Sequence, residues 1–550
     1  MSQAKWIKGL LIASLSVSLV AGCASNNTDN AKSNTGENNT AESTDPNAKT
    51  SITIVRAKDP RNLPVDEMIW FKKYSEVAPS NVKIKWEEIP SESADEKINL
   101  MLAGNNLPEA FLGTMSIGKV MKNVKSGIFL PIEDYIDEMP NFSKVLDQRP
   151  EYRALITAPD GHIYGLPYIE EMFGLITNQG ILSIYKPWLD KLNLPVPTTI
   201  DEYRDTLKKF VENDMNGNGI KDEIGLSLAN KGANSGIGSW RNNADFGQFF
   251  GLWGQVDRGD SMFLDSNGKI FNTASTEAYK AGINYLHEMY KEGLIDPEFT
   301  ITDGPKLQAK LRNETVTVGS VVHFSVLDVA GEKVANDYVP IPYLKGPGGE
   351  YGGRENLVEM HNPLAFVLTT KNKNPKAVLA WVDKMYDPEW SVQTNWGPLD
   401  YQYKKNEKGV MVFDTLKDGL DTYNDMRARN TIQGNSPVAI LTDYYDTVVE
   451  YPQDAQDILN DMKTVGYLDK HFNDPYIPHT LFYDAETADK MALLSPQIYG
   501  LIDTNRRKWI TDGGIDKEWD SYKKELEKAG LSEFIGYVQE AYDRYLANQK

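Results

Sequence analysis

A short acidic loop carries the most chemically specific spacing in this sequence. Within the stretch NDMNGNGIKDEIG, relative positions 1, 3, 5 and 9 are Asp214, Asn216, Asn218 and Asp222, and position 6 is Gly219. Alternate residues of a tightly turning loop direct their oxygens inward, and Ca²⁺ takes about six to eight oxygen ligands. The spacing therefore predicts the first half of a calcium loop.

The second half of this loop departs from the EF-hand pattern. Position 12, where an EF-hand carries its bidentate Glu, is Gly225. We expect Glu223, next to Asp222, to supply that carboxylate, and Ile220 to contribute its backbone carbonyl. The alternative is a solvated turn that uses Asn and Gly for their backbone angles. Three acids on one short loop repel one another without a cation, which favours a structural Ca²⁺ site at 214–223.

The N-terminus has the pattern of a cleaved export signal. Lys5 and Lys8 precede an apolar stretch from Leu10 to Val20, and the small residues of LVAGC end it at Cys23. This stretch is shorter than the roughly 20 residues that a spanning helix needs, so residues 1–22 are predicted to be removed. LVAGC resembles a bacterial lipobox, which implies acylation of Cys23, for example with palmitate, and anchoring at the extracytoplasmic face of the cell membrane. The alternative is an ordinary buried cysteine.

Residues 23–50 predict a disordered tether, since they contain no aromatic residue and, after Cys23 and apart from Pro46, nothing apolar that is larger than Ala. The whole chain carries 58 Lys and Arg against 78 Asp and Glu, a formal charge of -20. Nucleic acid and anionic membrane surfaces are therefore poor partners for the folded body. At 550 residues the chain is long enough for about two lobes.

The folded part begins with an α/β pattern. SITIVRAKD predicts a strand, VDEMIWFKKYSEVAPS a helix and NVKIKWEEIP a second strand. Thr199 followed by Glu202 indicates a capping box, and Asn374 followed by Pro375 indicates another helix start. SNGK at 266–269 is a hairpin turn signal. Beyond residue 400 helical periodicity dominates.

Five stretches in order resemble the extracytoplasmic solute-binding proteins of bacterial ABC importers, the family that includes maltodextrin-binding protein. They are LMLAGNNLPEAFLG, APDGHIYGLPY, YKPWLDKLNLPVPTTIDEYRDTLKKF, YLHEMYKEGLIDPEF and KNKNPKAVLAWVDKMYDPE. The acidic loop is similar to the calcium loop of the alginate-binding subgroup. The resemblance implies an α/β, two-lobed clamshell of the periplasmic-binding-protein type II class, here with a long helical C-terminal extension.

The resemblance also implies lobe boundaries and ligand contacts. Lobe one would comprise 51–172 and 362–395, and lobe two 177–340 and 396–550. A sugar site needs aromatic platforms beside polar groups, and the ligand would lie between the lobes. The positions that match are Asp59, Arg61, Thr114, Trp240, Arg241, His323, Phe324, Arg354 and Trp396. An arginine pair among these would suit a uronate carboxylate through bidentate hydrogen bonds.

The function that follows is capture of an oligosaccharide, with a uronate-containing sugar as one option, and its delivery to ABC permease subunits by a monomeric receptor. The sequence lacks G-x-S-x-G, H-E-x-x-H, P-loop and dinucleotide motifs. An enzyme is therefore not expected. A surface polysaccharide lyase or glycoside hydrolase remains the alternative, because pairs such as Glu170 and Glu171 could form a dyad in space. A regulatory sensor subunit with the same fold is a third option.

Overall fold

The structure is a computed structural model that describes residues 47–171, 181–229, 249, 261–323, 325–350, 360–420, 422–434, 436–464 and 476–549. They lie in one compact unit, Ser43–Lys550. The strands are β1 (Thr50–Lys58), β2 (Val82–Pro90), β3 (Ala110–Leu112), β4 (Leu166–Glu170), β5 (Ile181–Tyr185), β6 (Ile224–Ser227), β7 (Met262–Leu264), β8 (Ile270–Asn272), β9 (Val318–His323), β10 (Tyr338–Pro340), β11 (Lys345–Gly346), β12 (Gly349–Glu350), β13 (Met360–Leu368), β14 (Tyr403–Lys405), β15 (Met411–Phe413) and β16 (Ala439–Ile440).

The helices alternate with these strands in the first part of the chain and dominate its end. They are α1 (Ile69–Val77), α2 (Ser91–Ala103), α3 (Ile117–Val124), α4 (Pro140–Gln148), α5 (Pro150–Ile156), α6 (Lys186–Lys191), α7 (Ile200–Glu212), α8 (Glu277–Lys291), α9 (Gly304–Leu311), α10 (Val326–Ala330), α11 (Glu332–Ala335), α12 (Pro375–Asp383), α13 (Pro388–Asn395), α14 (Tyr423–Asn430), α15 (Gln453–Thr464), α16 (Ala485–Asp512), α17 (Ile515–Lys528) and α18 (Leu531–Asn548). Within the described ranges, none of these helices combines the length and apolarity needed to cross a bilayer.

A six-stranded sheet organises the first part of the chain, with the order β16-β4-β13-β3-β1-β2. Its strands run parallel except β13, which is antiparallel to both β3 and β4. Strand periodicity of two sends neighbouring side chains to opposite faces. Ile54 therefore packs with Trp70 and Tyr74 on one face, and Val55 packs with Ile98 of α2 on the other. The sheet is thus the middle of three layers, which is the predicted α/β class.

A four-stranded sheet organises the second part, with the order β10-β5-β9-β6. In this sheet β5 is antiparallel to both of its neighbours, β10 and β9, whereas β6 and β9 are parallel. The helix α7 covers one face through Leu207 and Phe210, and α9 covers the other through Leu307 and Leu311. The predicted capping box starts α7: Thr199 accepts from the Glu202 amide, and the Glu202 carboxylate accepts from the Thr199 amide.

Along the sequence, two stretches of the chain lead from one half of the structure to the other. The first leads from the end of β4 to the start of β5, through residues 171–180, and the second leads from β12 to the start of β13, through 351–359. Because β5 and β13 are the antiparallel strands of their sheets, each begins where its neighbours end. The starts of β5 and β13 therefore lie at the carboxyl edges of their sheets.

The C-terminal region contacts both halves. Strand β16 pairs with β4 in the first sheet, although residues 396–550 were expected in lobe two. In α16, Asp489 pairs with Lys122 of α3 at 2.6 Å, while Arg507 donates to the Thr300 carbonyl at 2.7 Å, beyond α8. A two-residue strand has no periodicity of its own, so its pairing was not visible in the sequence. The exact lobe boundaries stay a prediction.

Candidate functional site at the carboxyl edges

The carboxyl edge of the first sheet gathers several of the predicted ligand residues. In open α/β sheets ligands bind outside the carboxyl ends of the strands. Asp59 and Arg61 follow β1, Thr114 follows β3, and Trp396 directly follows α13. The same edge carries Glu170, the last residue of β4.

The loop after β1 is held by its own polar groups. Arg61 donates from Nε to Asp59 Oδ1 at 3.0 Å and from Nη2 to Asp59 Oδ2 at 3.1 Å. These hydrogen bonds hold the pKa of the Asp59 carboxyl below its usual range. Buried Asn62 donates to the Ala428 carbonyl at 2.5 Å and so ties the loop to α14. The Arg61 guanidinium is therefore already neutralised by a half-exposed carboxylate.

The indole of Trp396 is half-buried and is held by two groups. Its Nε1 donates to Glu170 Oε1 at 2.5 Å. The guanidinium of Arg427 lies 4.0 Å from its ring centroid, a cation–π distance. Trp396 also lines a small cavity with Tyr403, Ile440, Tyr445 and other residues of this edge. This arrangement suits an aromatic platform beside polar groups, which is what a sugar ring requires.

Glu170 and Glu171, the pair left open as an enzymatic dyad, point to opposite sides of the chain because they are consecutive in an extended segment. Glu171 is 2% exposed and accepts from Arg149 Nε at 2.9 Å, from the Tyr152 hydroxyl at 2.9 Å and from the Thr442 amide at 2.6 Å. Both carboxylates are engaged in hydrogen bonds that hold the framework.

Two further predicted residues lie at strand ends. Thr114 has a buried Oγ1 that makes no hydrogen bond within the described part of the chain. His323 ends β9 of the second sheet, where its Nδ1 lies 2.6 Å from the Ser325 carbonyl oxygen and 3.1 Å from the Ser325 amide nitrogen. Both residues therefore lie at the carboxyl edges of their sheets. Trp240, Arg241, Phe324, Arg354 and Cys23 lie outside the described residues.

The predicted ligands of the acidic loop make hydrogen bonds within the loop. Asp214 accepts from the backbone amides of Gly217 at 2.7 Å and Gly219 at 2.9 Å. The Asp222 carboxylate accepts from Asn216 Nδ2 at 2.8 Å and Asn218 Nδ2 at 3.0 Å. Gly219 has φ +76°, a conformation that favours glycine and lets the loop reverse at position 6. Asn216, Asn218 and Asp222 are thus in contact with one another.

Glu223 closes the loop from the far side. Its Oε1 accepts from the Met215 amide at 2.7 Å and the Asn216 amide at 3.3 Å, whereas its Oε2 is buried and has no hydrogen-bond partner among the described residues. A buried carboxylate oxygen without a donor is costly and fits a cation ligand. In the described part of the chain, no three His, Cys, Asp or Glu side chains converge tightly enough to form a metal group. The predicted calcium ligands are three acids together with two side-chain amides and one backbone carbonyl.

Sequence reasoning missed three residues of the edge, namely Glu170 as the partner of Trp396, and Asn395 and Arg427. Asn395 is fully buried, donates to Glu170 Oε2 at 2.9 Å and accepts from Arg427 Nη2 at 2.8 Å. Glu170 is more than two hundred residues away in sequence from both Asn395 and Trp396, so no local spacing could have indicated these contacts.

The chain is similar to known proteins over most of its length. The model of the family described as bacterial extracellular solute-binding protein matches residues 67–392, more than half of the chain. The fructooligosaccharide ABC transporter substrate-binding protein FusA of Streptococcus pneumoniae is 33% identical over 98% of both chains. The polygalacturonan/rhamnogalacturonan-binding protein YtcQ of Bacillus subtilis is 26% identical over 73% of this chain and 75% of its own.

A solved structure of one of these relatives is similar to this chain in fold and in sequence. The S. pneumoniae FusA EF-hand mutant in complex with fructo-nystose has a TM-score of 0.75 and 32% identity, covering 90% of this chain and 100% of that one. The two sheets, their carboxyl edges and the family match lead to one assignment: the chain belongs to the bacterial extracellular solute-binding proteins and has their two-lobed α/β fold.

Proposed function

We propose that this protein is a monomeric, lipid-anchored receptor that captures an oligosaccharide between two lobes and delivers it to the permease subunits of an ABC importer. The observation that carries the proposal is that β4 ends, and β5 and β13 begin, at the carboxyl edges of the two sheets. Ligand contacts made to both lobes would favour the closed state, because a ligand shifts a conformational equilibrium only by its differential affinity. The relative FusA, named for fructooligosaccharide transport, supports this class of ligand.

We propose further that the ligand is neutral, such as a fructooligosaccharide, in preference to the uronate-containing sugar that the sequence also allowed. Of the three arginines considered for a uronate, Arg61 is paired with Asp59, and Arg241 and Arg354 lie outside the described residues. A uronate that bound the Nε–Nη2 edge of Arg61 would have to displace the Asp59 carboxylate, whereas the aromatic Trp396 suits a neutral ring. The polygalacturonan-binding relative keeps acidic sugars as the competing outcome.

Calorimetric titration of the protein with nystose and with trigalacturonate, at one fixed calcium concentration, tests both statements. We expect heat of binding with nystose and none with trigalacturonate, and no change in the sugar after prolonged incubation. Trp396→Ala should abolish most of the nystose signal, while Trp86→Ala, on an edge strand away from this cluster, serves as a matched aromatic control. Conversion of either sugar to products would favour the lyase or glycoside hydrolase instead, and binding of trigalacturonate alone would contradict the neutral ligand.

We propose that Cys23 carries the anchor at the extracytoplasmic face of the membrane after removal of residues 1–22. The LVAGC motif supports this, since acylation requires the cysteine at that point. Expression with radiolabelled palmitate in a bacterial host should label the protein and place it in the membrane fraction. Cys23→Ser should remove the label, and a labelled Cys23→Ser protein would contradict the assignment.

We propose that Asp214, Asn216, Asn218, the Ile220 carbonyl, Asp222 and Glu223 hold a structural Ca²⁺. The buried Glu223 Oε2, which has no hydrogen-bond partner among the described residues, and the contacts of Asn216 and Asn218 with Asp222 support the proposal. The solved variant of the relative FusA is an EF-hand mutant, which points the same way. A bound Ca²⁺ would brace the segment between α7 and β6. Chelation by EDTA should lower the melting temperature, and an unchanged melt would contradict the site.

A further inference from the structure

The indole of Trp396 is fixed by a buried polar network. Glu170 is 2% exposed, and its two oxygens receive three donors: Trp396 Nε1 at 2.5 Å, Asn395 Nδ2 at 2.9 Å and the Tyr168 hydroxyl. Hydrogen bonds to an ionised acceptor are about twice as strong as neutral ones. The edge of the indole is therefore held by a carboxylate that is itself fully engaged.

One face of the same indole is also occupied. Arg427 lies 4.0 Å from the ring centroid, and it donates to the Asn395 carbonyl from Nε at 2.7 Å and to Asn395 Oδ1 from Nη2 at 2.8 Å. Asn395 thus orients both the cation over the ring and the carboxylate at its edge. A sugar ring can stack only on the opposite face of Trp396.

Glu170 also lies at the end of a strand. It is the last residue of β4, so the first connection between the sheets begins directly after it. The connection ends at Ile181, which shares a hydrophobic cluster with Ile440, and Trp396 packs against that cluster. The platform, the end of β4 and the start of β5 are therefore in one contact network.

We propose that Glu170 is a positioning residue that fixes the orientation of the Trp396 platform and links sugar stacking on it to the strand that leads into the first connection between the sheets. The inference rests on the proposed function, because it takes Trp396 to be a ligand contact. Glu170 itself touches no ligand. Its effect on affinity must therefore pass through the indole.

A double-mutant cycle separates this role from a general structural one. Glu170→Met keeps the length of the side chain but removes both acceptors, Glu170→Gln keeps one acceptor, and Trp396→Phe removes the indole N–H. We expect Glu170→Met to weaken nystose binding about ten- to hundredfold and Glu170→Gln by a smaller factor. In the Trp396→Phe background, Glu170→Met should have little further effect. Glu171→Gln is the matched control, since that neighbouring buried carboxylate binds Arg149 and not Trp396.

Fluorine NMR of 5-fluorotryptophan-labelled protein gives a second readout that does not need a sugar. The Trp396 resonance is assigned by its loss in Trp396→Phe. It should shift or broaden in Glu170→Met and in Glu170→Gln but not in Glu171→Gln. If Glu170→Met does not fold, the resonance measured in Glu170→Gln still tests the positioning role.

The possible results are distinct. Equal losses of affinity from Glu170→Met in both backgrounds, or an unmoved Trp396 resonance, would overturn the positioning role. If the wild-type protein bound no oligosaccharide, the proposed function would fail, and an unchanged resonance would then reject the positioning role separately.

Discussion

Replacement of Glu223 by Gln should hardly change the free energy of unfolding without calcium and should lower it clearly with calcium. In the structure, Glu223 Oε1 accepts from two backbone amides while Oε2 has no donor among the described residues. The Gln oxygen can keep both amide bonds, and the substitution removes a charged, buried oxygen. The two amide hydrogen bonds become weaker with a neutral acceptor, whereas removal of a buried charge is favourable. These effects oppose each other, so in EDTA we expect the free energy of unfolding to change by no more than about 1 kcal/mol.

Calcium changes this balance. At a free concentration about 100-fold above Kd, calcium adds about 2.7 kcal/mol to the wild-type protein. If loss of the bidentate charge raises Kd about 100-fold, the same concentration adds only about 0.4 kcal/mol to the variant. The difference between the proteins in calcium should therefore be about 2 kcal/mol larger than in EDTA.

Urea denaturation of both proteins, with calcium and with EDTA, measures these four free energies. Glu212→Gln, an exposed carboxylate at the end of α7, is the matched control and should show the full wild-type calcium gain. An equal calcium gain in wild type and Glu223→Gln would refute the role of Glu223. A wild-type protein that gains nothing from calcium would refute the site itself.

Two further predictions concern stability away from the loop. Burial and the neighbouring Asp457 raise the pKa of Asp461 to about 6. Between about pH 4 and 6 this carboxyl is protonated in the folded state but ionised in the unfolded state, so the free energy of unfolding falls as the pH rises through that range. Asp461→Asn should therefore add about 1 to 2 kcal/mol at pH 8 and nothing near pH 3, measured by urea denaturation at both pH values, and a pH-independent gain would contradict this cause. A Cβ at Gly319 of β9 would lie 2.5 Å from Phe210 and 3.0 Å from Trp188. Gly319→Ala should therefore cost about 1 to 3 kcal/mol, whereas Gly118→Ala, which meets nothing within 4 Å, should not lower the melting temperature.

Local rules predicted those parts of the fold whose determinants are close in sequence. The Thr199–Glu202 capping box and the Asn374 cap both start helices as expected, and Gly268 turns the hairpin between β7 and β8 with φ +77°. Each of these features needs only residues within a few positions of one another. The first strand begins at Thr50, one residue before the predicted start.

The sheet order and the polar network at the edge needed the structure. β16 has two residues and pairs with a strand about 270 positions earlier, so no pattern in the sequence marks it. Arg61 was chosen as a ligand residue for its charge, but the side chain that faces it is Asp59, two residues away. Glu170 was considered as an acid for catalysis, whereas its partners are the donors of Trp396, Asn395 and Tyr168.

The calcium loop is intermediate between these cases. Its spacing named the converging residues, and the structure brings Asn216, Asn218 and Asp222 into contact. The sequence could not reveal that Glu223 presents one engaged and one unpartnered oxygen, because that depends on how the segment after α7 folds back. The ion itself stays a prediction.

The most direct test of capture between two lobes is a distance measurement across the two sheets with and without sugar. The single cysteine can be replaced by Cys23→Ser, and spin labels placed through Glu96→Cys on α2 and Lys208→Cys on α7, both exposed. Pulsed electron–electron double resonance should give a distance distribution that shifts and narrows when nystose is added and stays unchanged with trigalacturonate. A distribution that does not move while calorimetry records nystose binding would contradict capture by closure of two lobes.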